Sequence, residues 1–189
     1  MNTWRKITGG HKGLTLMELM IVIAILAIMA GMTMSALGNY IPDYRLQSAA
    51  RELYANMHKA KMEAIKRNTD VRIVFDVTNS RYAISLNGGS DNILSSINNN
   101  ENLAIISLTK YEHVDYGSGN ASFDATTDKK SLPEDNVSFG SNIVLFNPYG
   151  TGDAGYVYLE NSRGSSYAVG ALSSGVVLIK KWKHDDWYE

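Results

Sequence analysis

Residues 13–37 read GLTLMELMIVIAILAIMAGMTMSAL, an apolar run with a single charge, Glu18. No charged residue occurs between residues 19 and 42, which meets the ~20 mostly apolar residues that a membrane-spanning helix needs. The pattern then changes. Leu46, Ala49, Ala50, Leu53, Met57, Ala60, Ala64 and Ile65 recur at three- and four-residue steps, with Arg45, Arg51, Glu52, Lys59, Lys61, Glu63, Lys66 and Arg67 filling the other positions. This spacing predicts an amphipathic helix whose stripe packs on a core. Lys66, Arg67 and Asn68 form its C-terminal signal. One helix is therefore expected from about residue 15 to about residue 68, apolar all round in its first half and striped in its second.

Beyond it the period shortens. Residues 72–77 (RIVFDV) and 82–86 (YAISL) flank a hairpin turn at residues 78–81, and residues 103–108 form another apolar run. Residues 87–102 and 116–135 are rich in Gly, Ser, Asn and Asp and are expected to be long loops. Short strands are expected at residues 137–139, 143–146, 156–159, 167–169 and 176–179. The fold class is α+β, with the long N-terminal helix packed on a mainly antiparallel sheet.

Arg5, Lys6 and Lys12 precede the apolar run, and the positive-inside bias places that end in the cytoplasm and the bulk of the chain across the membrane. Three readings compete. The run is the core of an ordinary secretory signal, cut near Ala36, Leu37 and Gly38 so that the product begins at Asn39. Or it is a plain anchor, for which Glu18 is an unexplained cost. Or a leader is cut on the cytoplasmic side at Gly13, leaving the apolar helix on the product. The third accounts for the most residues. Leu14 then becomes the N-terminus, one helical turn from Glu18. In a bundle of such helices, the Glu18 carboxylate would pair with the Leu14 ammonium of a neighbouring copy. Both charges are poorly solvated there, so a wrong axial offset leaves both unpaired.

Charge and composition narrow the chemistry. Lys and Arg total 18 against 19 for Asp and Glu, and loss of the leader leaves the acids in clearer excess. This balance does not forecast a nucleic-acid binder. There is no cysteine, so the fold has no disulfide and no thiolate metal site. His11, His58, His113 and His184 lack metal-ligand spacing. The acids at residues 124–128 and 134–136 match no calcium-loop signature and read as solvated loop positions. Residues 150–155 (GTGDAG) lack the Lys-Ser/Thr ending of a phosphate loop and read as a hairpin turn. No catalytic constellation, metal or cofactor is expected. The tail KKWKHDDWYE reads either as a partner contact or as the edge of a terminal strand.

The segment KGLTLMELMIVIAILAIMAG resembles the leader junction and N-terminal helix of type IV pilins and type II secretion pseudopilins. RLQSAARELYANMHKAKMEAIKRN, VLFNPYGTG, GYVYLEN and SYAVGALSSGVVLIKKW resemble the GspH/FimT pseudopilin family, so the likeness spans nearly the whole chain. It implies cleavage between Gly13 and Leu14 by a prepilin peptidase, N-methylation of Leu14, and an assembly role for Glu18. It implies a cleaved leader over residues 1–13, a membrane and filament-core helix over 14–38, an amphipathic helix over 39–68 and a periplasmic β-rich head over 69–189. The implied function is that of a non-enzymatic minor pseudopilin of type II secretion, of the H type. The alternative is a FimT-like minor type IV pilin in pilus initiation or DNA uptake. The implied partners are other pseudopilins or minor pilins, the prepilin peptidase, the inner-membrane assembly platform, membrane lipid before assembly and the secreted cargo. The implied location is the bacterial inner membrane, single-pass with the head periplasmic, then the periplasmic pseudopilus. Three departures stand out. Leu14 occupies a position that is Phe in most members. The mid-helix proline is missing, so the helix is expected to be straighter or to loosen at Gly31 and Gly38. Val176 and Val177 follow Gly175 where some DNA-binding members carry arginines, leaving Lys180, Lys181 and Lys183 as the nearest cations.

Overall fold

The computed structural model describes Gly13, residues 15–86 and residues 102–189, without the side chains of residues 33–39, 102 and 103. The chain divides into two compact units after Asn39. Helix α1 is Leu16–Arg67 and runs through Gly31, Gly38 and Pro42 without a break. In the first unit, the large apolar side chains described on α1, from Leu16 round to Met32, are all exposed. Among the described residues no helix is long and apolar enough to cross a membrane. The side-chain description stops at Met32, so the expected span over residues 14–38 lies partly outside it.

The second unit is built on the striped half of α1. Leu46, Ala49, Ala50, Leu53, Met57, Ala60 and Ala64 are buried in the main core, as their spacing requires. Ile65, expected on the same stripe, is 47% exposed and instead lies under the turn at Gly150. The helix ends in a Schellman turn with Asn68 at positive φ: Thr69 N–H donates to the Ala64 carbonyl and Asn68 N–H to that of Ile65.

Two antiparallel sheets replace the single sheet expected. In the first, β1 (Val71–Asp76), β2 (Arg81–Leu86), β3 (Asn102–Ser107) and β5 (Ile143–Phe146) lie in the order β3-β2-β1-β5. In the second, β4 (Val114–Tyr116), β6 (Gly155–Asn161), β7 (Ser166–Ala171), β8 (Val177–Lys183) and β9 (Asp186–Tyr188) lie in the order β4-β6-β7-β8-β9. The expected loop over 87–102 lies outside the described residues, apart from Asn102, which opens β3. Residues 137–139 form no strand; Val137 pairs singly with Val157, and Val137 and Phe139 pack into the core. Residues 150–155 do not close a hairpin within one sheet. They carry the chain from β5 in the first sheet to β6 in the second.

Alternation along the strands decides which side chains meet the helix. Val71, Ile73 and Phe75 of β1, Tyr82 and Ile84 of β2, and Val144 and Phe146 of β5 join the main core with the α1 stripe. In the second sheet Val157, Leu159, Tyr167, Val169, Val177 and Ile179 join the same core. The opposite register, Tyr156, Tyr158, Ala168 and Leu178, forms a second cluster with Ala125, Leu132 and Trp187. The second sheet is therefore buried on both faces.

Asp76 organises the β1–β2 hairpin. Its carboxylate accepts from Asn79 N–H, from Asn79 Nδ2 at 2.8 Å and from Arg81 Nε at 2.8 Å. Burial works to raise its pKa, but these bonds and the Arg81 charge outweigh it and hold the carboxyl below its usual range.

The β5–β6 connection and the β7–β8 turn meet at the end of α1. Asn147 Oδ1 accepts from the backbone N–H of Tyr149 and of Thr151, which closes the turn around Gly150. Gly150 packs over Lys61 and Ile65, and Gly175 packs on the Gly150 carbonyl. Lys61 Nζ donates to the Gly175 carbonyl at 2.9 Å. Gly175 has φ +74°, and a Cβ there would lie 1.9 Å from the Gly150 oxygen. Gly175→Ala is therefore expected to cost about 2–3 kcal/mol, through left-handed strain plus a backbone clash. Chemical denaturation of the head checks it; an unchanged midpoint would overturn the packing described.

Tyr82, Tyr116 and Tyr158 are buried, and burial pushes each phenol well above the ordinary tyrosine range. A pKa raised in the folded state leaves stability intact below the unfolded value of about 10 and removes it as pH climbs beyond that. The head is expected to weaken steeply above about pH 10, and Tyr82→Phe to lessen that slope. Denaturation midpoints across alkaline pH measure both.

Candidate assembly site

Thr15 precedes the first helical residue, and its Oγ1 accepts from the Glu18 backbone N–H at 3.2 Å. Thr15 is thus the N-cap and Glu18 the third helical residue, the T-x-x-E pattern of a capping box. A carboxylate in this first turn also faces the positive end of the helix dipole. Glu18 is exposed, as are the apolar side chains around it. Among the described residues nothing lies within 4 Å of the position a Cβ would take at Gly13. Leu14, the expected new terminus, lies outside the described residues. The capping role of Thr15 is not among the sequence expectations, although its spacing to Glu18 would supply it.

At the start of the head unit, Asp43 and Arg45 of α1 are held by side chains from two later turns. Asp43 Oδ1 accepts from Asn161 Nδ2 at 2.7 Å and from Ser165 Oγ at 2.9 Å. Arg45 pairs with Glu112 at 2.7 Å. The Asp43 contacts span more than a hundred residues of sequence, and no periodic pattern announces them. The nearest cue is the NSRGS turn at residues 161–165, where Gly164 takes positive φ.

The loop over residues 117–136 and the tail hold each other. Tyr158 Oη accepts from Ala125 N–H at 2.8 Å, and Trp187 Nε1 donates to the Phe123 carbonyl at 2.9 Å. Trp182 and Trp187 pack edge to face at 5.3 Å, and Lys129 pairs with Asp186 at 3.0 Å. Trp182 and Trp187 thus pack within the chain, and part of the tail forms the terminal strand β9. The buried Asp124 carboxylate accepts from Thr126 Oγ1 at 2.7 Å and from Lys130 N–H at 2.8 Å, folding the acid-rich segment on itself.

Two of the cations beyond Gly175 are also engaged. Lys180 Nζ donates to the Ala125 carbonyl and stands over the Tyr156 ring, and Lys181 stands over Tyr167. The exposed large apolar side chains include Met62, Ile65, Tyr149, Leu172 and Val176.

Comparison with known proteins matches this architecture to its class. The family model for type II transport protein GspH matches residues 49–175, and that for the prokaryotic N-terminal methylation motif matches residues 9–34. No curated protein matches the sequence. Two solved structures of the minor pseudopilin EpsH, from the type II secretion system of Vibrio cholerae, align at 13% identity with a TM-score of 0.46. One alignment covers 71% of this chain and 95% of the other, and the second covers 74% and 94%. With two thirds of its length inside the first family model and its leader region inside the second, the chain belongs to the GspH family of type II transport proteins, as a pseudopilin bearing the prokaryotic N-terminal methylation motif.

Proposed function

We propose that this pseudopilin works as a minor, non-enzymatic structural subunit of the periplasmic pseudopilus. A prepilin peptidase removes residues 1–13 by cutting between Gly13 and Leu14, and Leu14 is N-methylated. The helix over residues 14–38 holds the subunit in the inner membrane, amino end cytoplasmic, with the head in the periplasm. During assembly the same helix moves from lipid into the filament core. The assembly platform drives that transfer, and the head contacts other pseudopilins or the exported cargo.

The observation that carries this reading is the first half of α1. Its large apolar side chains from Leu16 to Met32 are all exposed, and its one acid sits in a capped first turn. Such a surface needs an apolar surrounding, which lipid and a bundle of like helices both supply. A lone carboxylate in that surrounding needs a cation, and the Leu14 amine of a neighbouring subunit is the one that cleavage creates. The pair favours one axial offset between subunits over others.

Processing is tested by the intact mass and terminal sequence of the protein from its native membrane. The expected chain starts at methylated Leu14 and reverts to full length without the peptidase. A start at Asn39 would mean ordinary secretion, and a persistent Met1 a plain anchor.

Glu18→Ala is expected to leave processing and the melting of the head unchanged, while export falls to the level of a strain lacking the subunit. Normal export with that variant would remove the assembly role from Glu18.

A further inference from the structure

Tyr40, Ile41 and Tyr44 open the head unit, and they follow the uncharged apolar run directly in sequence. They are 67%, 41% and 57% exposed, and at three- and four-residue spacing they share one face of α1. The two tyrosine rings stack at 6.2 Å with an interplanar angle of 24°. The other face at this level is polar and already satisfied. Asp43 is held by Asn161 and Ser165, Arg45 by Glu112, and Leu46 is fully buried in the core. The head thus draws inward the charged groups at the end of the apolar run and leaves an aromatic and aliphatic face outward.

Position along the helix identifies what that face meets. At ~1.5 Å per residue, helix between residues 19 and 40 rises about 30 Å, the thickness of a bilayer's hydrocarbon core. A tyrosine at that level has its ring in the acyl boundary and its hydroxyl among headgroups, where tyrosine and tryptophan concentrate. Building on the membrane-held state proposed above, we infer that Tyr40, Ile41 and Tyr44 form an interfacial anchor that seats the head on the periplasmic lipid headgroup layer before assembly. The anchor sets how far the helix can slide along the membrane normal, and with it the depth of Glu18. Extraction into a filament must release this face from lipid.

The chain has no cysteine, so single cysteines carry a spin label without background. Ile25→Cys, Ile41→Cys and Met62→Cys are each labelled in the full chain and reconstituted in vesicles of phosphatidylethanolamine and phosphatidylglycerol. Relative collision with oxygen and with a water-soluble nickel chelate reads the depth of each label. The expected order is position 25 deep in the hydrocarbon, 41 at the headgroup level and 62 in water. Adding Tyr40→Ser with Tyr44→Ser is expected to raise nickel collision at position 41 towards that at 62, with 25 still deep. If 25 is deep while 41 collides with nickel as freely as 62, the anchor is overturned and the membrane helix stands. An unchanged depth at 41 in the double serine variant also overturns it. If 25 itself reads water, the membrane-held state falls, and the anchor falls with it.

Discussion

The head depends on one stripe of α1 that serves two sheets at once. Leu46, Ala49, Ala50, Leu53, Met57, Ala60 and Ala64 are all buried in one core with side chains of both sheets. Close-packed interiors tolerate little change in volume at such positions. Without disulfides, this apolar contact is the main source of cohesion. The connections reflect it. The chain crosses from the first sheet to the second after β3, returns for β5, and crosses again into β6, so neither sheet is completed without the other.

Serving both sheets leaves the second sheet with a bare outer face, and the loop over residues 117–136 covers it. A polar segment can do this only if its own backbone groups are satisfied. Asp124 takes Lys130 N–H, Tyr158 takes Ala125 N–H, and Trp187 takes the Phe123 carbonyl. The β8–β9 hairpin contributes Trp182 and Trp187 to the same cover. The segments most polar by composition thus bury Tyr156 and Tyr158, and the acid-rich stretch has a structural use for its best-placed carboxylate.

Along α1 the surroundings change once. The second half meets protein on one stripe, and the described side chains from Leu16 to Met32 present an apolar surface all round. Such a helix is suited to two apolar surroundings in turn, which is what a subunit held in a membrane and later packed in a filament requires. The charged and aromatic residues at the change of surroundings divide by face, Asp43 and Arg45 inward and Tyr40 and Tyr44 outward.

The α+β class, the extent of α1, its buried stripe and the strands at β1, β2, β5, β6 and β7 were all legible from periodicity, because apolar spacing reports burial within a single element. Gly13 and Glu18 stood out for the same local reason, a small residue and one acid at short range, while the cap at Thr15 is seen in the structure. What periodicity could not show was how elements share surfaces. Ile65 has the spacing of a core residue, yet the Gly150 turn reaches it only partly. β4 and β9 are three residues each, too short to carry a pattern, and exist because β6 and β8 offer edges to pair with. The division into two sheets, the cover over Tyr158, and the pairing of Asp43 with Asn161 across the chain are long-range contacts. Each depends on geometry set by the packed core, so only the tertiary structure decided them, while the sequence by itself determined the elements and the two surroundings of α1.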